Sequence, residues 1–222
     1  RLGTGPDPNR RWLLDGFLPV VTVRSERQGL QFEETVFGWS EGLSPDKDLS
    51  AWVRLAVRNP SGEAKSIDVA FRIEPSPAAP PPRWTLRIPP GASRSVFIEV
   101  PYAVKEAPAR EIPQPEFERR LEEVRKAWTA LLASGIRISV PEERVNNAWK
   151  AWLAWSFIDV DKKGEVYEPH DGSGFYELVY GYSAALCPNA LDFYGFHADA
   201  RRYLESLFAF QKPDGVFTAN FG

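Results

Sequence analysis

The stretch Glu165-Val166-Tyr167-Glu168-Pro169-His170-Asp171-Gly172-Ser173-Gly174-Phe175-Tyr176-Glu177 concentrates the residue types that do chemistry in this chain. Recognition of a polyhydroxylated ring needs planar aromatic faces to stack on C–H-rich surfaces, with carboxylates and imidazoles to bond the hydroxyls. Here Tyr167, Phe175 and Tyr176 stand beside His170, Asp171 and Glu177. Gly172 and Gly174 permit a tight chain path. His170 and Asp171 suit hydroxyl binding better than acid–base catalysis. The competing reading is a solvated connection between helices whose aromatics cap a core, because function in loops is only a tendency.

Other candidates have plainer readings. Trp149, Trp152 and Trp155 invite comparison with a carbohydrate platform. However, Trp149 and Trp152 share a helical stripe with Val145 and Phe157 and are expected to pack in a core. Trp155 falls off that stripe and is free to line a cleft. Cys187 is the only cysteine, so no intrachain disulfide is available, and it reads as a small buried apolar residue. His170 and His197 are the only imidazoles, and no metal-ligand spacing exists. No metal and no cofactor are expected. His197 follows Gly195 at a helix start and reads as a local cap or surface group.

The elements that must position these residues change character along the chain. Segments 20–24, 52–58, 67–73, 84–88 and 95–100 mix alternation with β-branched and aromatic residues. Asn59-Pro60-Ser61-Gly62 and Pro89-Pro90-Gly91 mark turns between them. Short strands with frequent turns predict an antiparallel β-sandwich over residues 1–102. Residues 75–82 are proline-rich and read as a surface loop. A charged, proline-punctuated linker over 103–115 ends this domain.

Beyond it the period becomes helical. Phe117, Leu121, Val124, Trp128, Leu131 and Leu132 recur at spacings of 4, 3, 4, 3 and 1, with Gly135 as a stop. Further helices are expected from about Glu142 to Phe157, Ser183 to Tyr194 and Ala198 to Lys212. A loop from about Asp159 to Gly181 separates the first two of these. Gly195 and Pro213-Asp214-Gly215 end the last two, and Pro188 should kink the third helix or mark its first turn.

In composition the chain is an ordinary globular one, with 43% apolar and 26% charged residues over 222 positions. Its formal charge of −3 gives no electrostatic reason to expect nucleic acid or an anionic membrane as partner. No apolar run is long enough to span a bilayer. A periplasmic or extracellular setting is preferred to the cytoplasm.

Trp149-Lys150-Ala151-Trp152-Leu153-Ala154-Trp155, followed after a loop by Ala190-Leu191-Asp192-Phe193-Tyr194-Gly195, resembles the opening helices of the six-hairpin glycosidases. Ala200-Arg201-Arg202-Tyr203-Leu204 with Gln211-Lys212-Pro213-Asp214-Gly215 resembles their next hairpin and its turn. Glucoamylase-like, trehalase-like and rhamnosidase-like enzymes belong to this superfamily, many with a β-sandwich ahead of the helices. The resemblance implies a multidomain β-then-α architecture. An antiparallel β-sandwich is followed by the first helical hairpins of an (α/α)6 toroid over 116–222.

The same resemblance implies a carbohydrate substrate and glycoside cleavage by two carboxylates roughly 5–9.5 Å apart. Those carboxylates are expected beyond Gly222, so none of the residues at hand is assigned as catalytic. The remaining hairpins would then come from a missing C-terminal part, continuous or as a separate chain. Tyr182, with Gly181, occupies the place of an Arg-Asp pair that grips the sugar in glucoamylase-like members, and Asn220 would point into the toroid mouth. Substrate contacts are thus expected from His170, Asp171, Tyr176, Glu177, Tyr182 and Asn220. The absent Arg-Asp pair keeps a second reading open, a non-catalytic carbohydrate-binding or assembly protein reusing the fold. A third is a β-sandwich adhesion or filament subunit.

Overall fold

The computed structural model describes residues 10–71, 82–102, 109–170, 179, 181–208 (less the Ser183 side chain) and 210–217. Residues 72–81, residues 103–108 of the expected linker, and the candidate residues Asp171, Tyr176, Glu177 and Asn220 lie outside them. The chain forms two compact units, residues 1–15 with 19–126 and residues 16–18 with 127–222.

The first unit is built on strands, as expected. Strands β1 (Arg10–Leu14), β2 (Leu18–Arg27), β3 (Leu30–Trp39) and β4 (Ser50–Arg58) lie in one sheet. A hairpin of β5 (Lys65–Ala70) and β6 (Arg83–Ile88) interrupts the order, and β7 (Ser93–Pro101) and β8 (Arg110–Glu111) complete the sheet. Its order is β1-β2-β3-β4-β7-β8, and the ladders from β2 onward are antiparallel. The expected 103–115 linker is corrected in part. Arg110 and Glu111 pair with Glu99 and Ile98, which satisfies backbone groups at the sheet edge.

Alternation divides the side chains between the two faces of this sheet. Leu30, Phe32, Leu55, Val57 and Val96 point to one face, where Val69 and Ile88 of the β5–β6 hairpin pack on them. The other face carries Phe37 opposite Trp52, and Phe97 on the next strand. Helix α1 (Gln114–Ala133) lays its first turns there. Phe117 is fully buried, its ring 5.2 Å from both Phe37 and Phe97. Beside it, Arg120 stacks 3.8 Å above the Trp39 ring, and Glu123 accepts bonds from Trp39 Nε1 at 2.9 Å and Arg120 at 3.0 Å. One carboxylate thereby accepts from both planar groups.

The second unit is built on helices α2 (Glu143–Ile158), α3 (Gly181–Phe193) and α4 (His197–Phe208). Residues 136–140 belong to no helix or strand. Gly195, at φ 87°, ends α3. Its N–H donates to Asp192 O, and the Phe196 N–H donates to Leu191 O, a left-handed C-cap that a side chain would strain. Gly135 is needed for another reason. A Cβ there would stand 2.7 Å from Tyr194 O and 2.5 Å from the Phe196 ring, so the chain passes too close for any larger residue. Pro188 lies inside α3 and leaves the Ala184 carbonyl without its usual helical donor.

Candidate functional site

The interval from Asp159 to Gly181 is not all loop. Val160–Lys163 (β9) and Val166–Pro169 (β10) form an antiparallel hairpin, with Val166 opposite Lys163. Gly164, at φ 62°, opens the two-residue turn. This corrects the loop expectation. The charged run Asp161-Lys162-Lys163-Gly164-Glu165 hides the pairing because the strands are short and mostly wet.

The hairpin rests on α4 through polar contacts. Ser206 Oγ accepts the Tyr167 N–H at 2.8 Å and donates to Arg202 O at 3.0 Å. The Tyr167 ring lies 5.6 Å from that of Tyr203, with Arg202 at 5.2 Å and Lys162 at 5.7 Å from its centre. Tyr167 is thus an aromatic ring held between two cations and a second ring. Burial, with Asp199 nearby, pushes the Tyr203 hydroxyl above the usual tyrosine range, so it stays protonated.

His170 follows β10, its N–H bonded to Asp159 O at 2.9 Å. Its side chain is only 6% exposed, and neither ring nitrogen has a hydrogen-bond partner. Asp161 Oδ2 lies 3.6 Å from Nε2, outside hydrogen-bond reach, and no described residue bonds either ring nitrogen. A hydroxyl that reached either nitrogen would complete it.

Among the other expected site residues, Tyr182 projects from the first turn of α3 and is 81% exposed. His197 Nδ1 sits 2.6 Å from Asp192 Oδ1 at the surface, the local role expected of it. Cys187 is half-buried, and burial together with Asp159 pushes its thiol up to about 12.

The tryptophan stripe needs correction. Trp152 is 61% exposed and is not core, because α2 buries Leu153, Ala154 and Ser156. Trp149 does pack, edge-to-face on Tyr194 at 5.6 Å. From Ala151 to Ile158 the helix is apolar apart from Ser156, so spacing alone does not mark its inner face.

Sequence reasoning passed over Asp161, Tyr203 and Ser206. Once the hairpin is seen, alternation places Asp161 and His170 on the same face, but Tyr203 and Ser206 reach the site only through tertiary packing. Among the described residues, no three His, Cys, Asp or Glu side chains are grouped to hold a metal. No described helix is long and apolar enough to cross a membrane.

No family model, curated protein or solved structure matches this chain. The turn around Pro213-Asp214-Gly215 is well formed. Gln211 Nε2 donates to Gly215 O at 2.8 Å, Asp214 Oδ1 accepts the Val216 N–H at 3.0 Å, and Gly215 takes φ 85°. The side chains of the Gln-x-Pro-Asp-Gly turn therefore tie their own backbone.

Proposed function

We propose that this chain is part of a glycan-processing protein of the six-hairpin kind. In this reading the first unit is a β-sandwich and the helical unit opens an (α/α)6 toroid. The protein acts on oligo- or polysaccharide through acid and base carboxylates supplied by further hairpins. One observation carries the reading, the large apolar side chains that the helices leave exposed. Trp152, Tyr182 and Phe193 are 61, 81 and 72% exposed, and Val145, Leu186, Leu204 and Phe208 are exposed as well. Self-contained helical bundles bury such side chains, and soluble monomers keep exposed apolar patches small. In a ring of helical hairpins each hairpin covers the face its neighbour leaves open. The packing of the β5–β6 hairpin on the larger sheet supports the sandwich part.

The test is reducing-sugar release from α-glucans, trehalose and rhamnosides by the product of the complete gene. Release from any of them supports the proposal. A folded product that releases no sugar from any of them overturns the enzymatic part.

A second reading, a non-catalytic carbohydrate-binding or assembly protein, is favoured by Gly181-Tyr182, which puts a glycine and an exposed phenol where sugar-gripping charges are expected. Glycan binding without turnover would select it.

A further inference from the structure

The face of the six-stranded sheet that receives α1 at one end is polar at the other. Register sets Arg24 opposite Glu33, Glu33 opposite Ala56, Gln31 opposite Arg58, and Arg58 opposite Ser93. Cross-strand partners share a face, so these side chains form one polar surface. It borders an open groove of about 960 Å³, also lined by Arg10, Arg27 and Glu26.

The charges in this groove are not internally balanced. Glu33 accepts from Arg24 at 2.6 Å and from Arg54 at 2.8 Å, so its carboxylate is fully engaged. Arg10, Arg27 and Arg58 make no ion pair among the described residues. Four lining arginines face two glutamates, a local excess of +2 in a chain whose formal charge is −3. Arg24 also lies 5.1 Å over the Trp12 ring, which is part-exposed at the margin. Ser25 Oγ, another lining group, is buried without a partner.

From this juxtaposition we propose that the groove binds an acidic oligosaccharide, one bearing uronate carboxylates. This inference rests on the glycan reading above and adds the substrate class. Unpaired guanidinium groups bond carboxylates in a planar, two-pronged way. Gln31, Ser93 and Glu26 supply the mixed donors and acceptors that sugar hydroxyls need.

The test is calorimetric titration of this chain with trigalacturonate, maltotriose and short poly-L-glutamate. Arg10→Gln/Arg58→Gln and Arg27→Gln serve as variants. Both substitutions in the double variant fall on exposed side chains outside the Glu33 network, and its melting temperature checks that it folds. The expected result is binding of trigalacturonate that weakens with added salt and falls on the order of tenfold in the double variant. Arg27→Gln gives a second, independent reduction. Equal binding of poly-L-glutamate overturns the saccharide assignment. Trigalacturonate binding unchanged in both variants overturns the site. Maltotriose binding without trigalacturonate binding overturns the acidic class while leaving the glycan reading intact. Trigalacturonate binding by a protein that releases no sugar supports this inference while the enzymatic reading falls.

Discussion

Asp161 and His170 lie diagonally across the β9–β10 hairpin on one face, with the imidazole Nε2 3.6 Å from the carboxylate oxygen. The pair is close enough for attraction and too far for a hydrogen bond, and the imidazole is the more buried partner. A buried polar ring without partners costs stability.

Replacing His170 with Phe should therefore leave stability unchanged or raise it by about 1 kcal/mol, because no hydrogen bond is lost and a desolvated polar group is removed. Glycan binding should fall at the same time. Urea melts and glycan titration of the same variant read the two effects separately. A loss of more than about 2 kcal/mol would show that His170 serves the fold instead.

Asn59 is fully buried at the end of β4. Its amide nitrogen donates to Glu63 O at 2.7 Å and Ile88 O at 3.1 Å, and its oxygen accepts from the Ser61 hydroxyl at 2.7 Å. One side chain thus ties the β4–β5 turn to the end of β6. Asn59→Asp keeps the shape but sets a carboxylate against two carbonyl oxygens. Its cost should be on the order of 3 kcal/mol at neutral pH and smaller in acid, where the group protonates. Chemical denaturation at two pH values measures the difference, and equal costs would contradict the assignment of donors.

Cys187 should be inert in the native protein. The thiolate is the reactive form, and a thiol pushed up to about 12 by burial and the nearby Asp159 holds almost none of it at pH 8. Its Sγ also lies 3.4 Å from Ser156 O, as a donor. Iodoacetamide labelling at pH 8 should be negligible until denaturant is added and should then become fast. Rapid labelling without denaturant would place the thiol at the surface.

The parts of this fold that could be read in the chain are those governed by local pattern. β6 alternates, β4 and β7 are rich in β-branched and aromatic residues, α1 repeats at helical spacing, and Gly195 caps where a C-cap was expected. β3 escaped because Glu33-Glu34-Thr35 interrupts its apolar alternation. In addition, the turn before it uses Gln28 and Gly29 at φ 52° and 67°, and glutamine is not a common residue for that left-handed position.

The inner face of α2 escaped because its second half, from Ala151 to Ile158, is apolar apart from Ser156. His170 was legible as a residue type in a suggestive setting. That it is buried without partners depends on Ser206 and Tyr203 holding the hairpin from another helix, which no local pattern encodes. The arginine groove depends on register between strands far apart in sequence, and Gln31 meets Arg58 only after β3 and β4 have paired.

Glu34 gives a prediction whose sign follows from its place in the sheet. It sits on β3 between Val23 of β2 and Leu55 of β4, on the face where Leu55 joins the apolar core. Burial there raises its carboxyl above the ordinary value of 4.5. The folded state therefore holds the proton more tightly than the unfolded state does. Stability falls as pH rises from the ordinary value through the raised one, and the penalty is constant above that window. Glu34→Gln removes the ionising group while keeping its size. The variant should match the parent near pH 3, where both carry a neutral side chain, and melt higher than the parent at pH 7. Melting curves across that range decide the matter. A variant that is less stable at pH 7 would mean that the carboxylate has a favourable partner outweighing the cost of its burial.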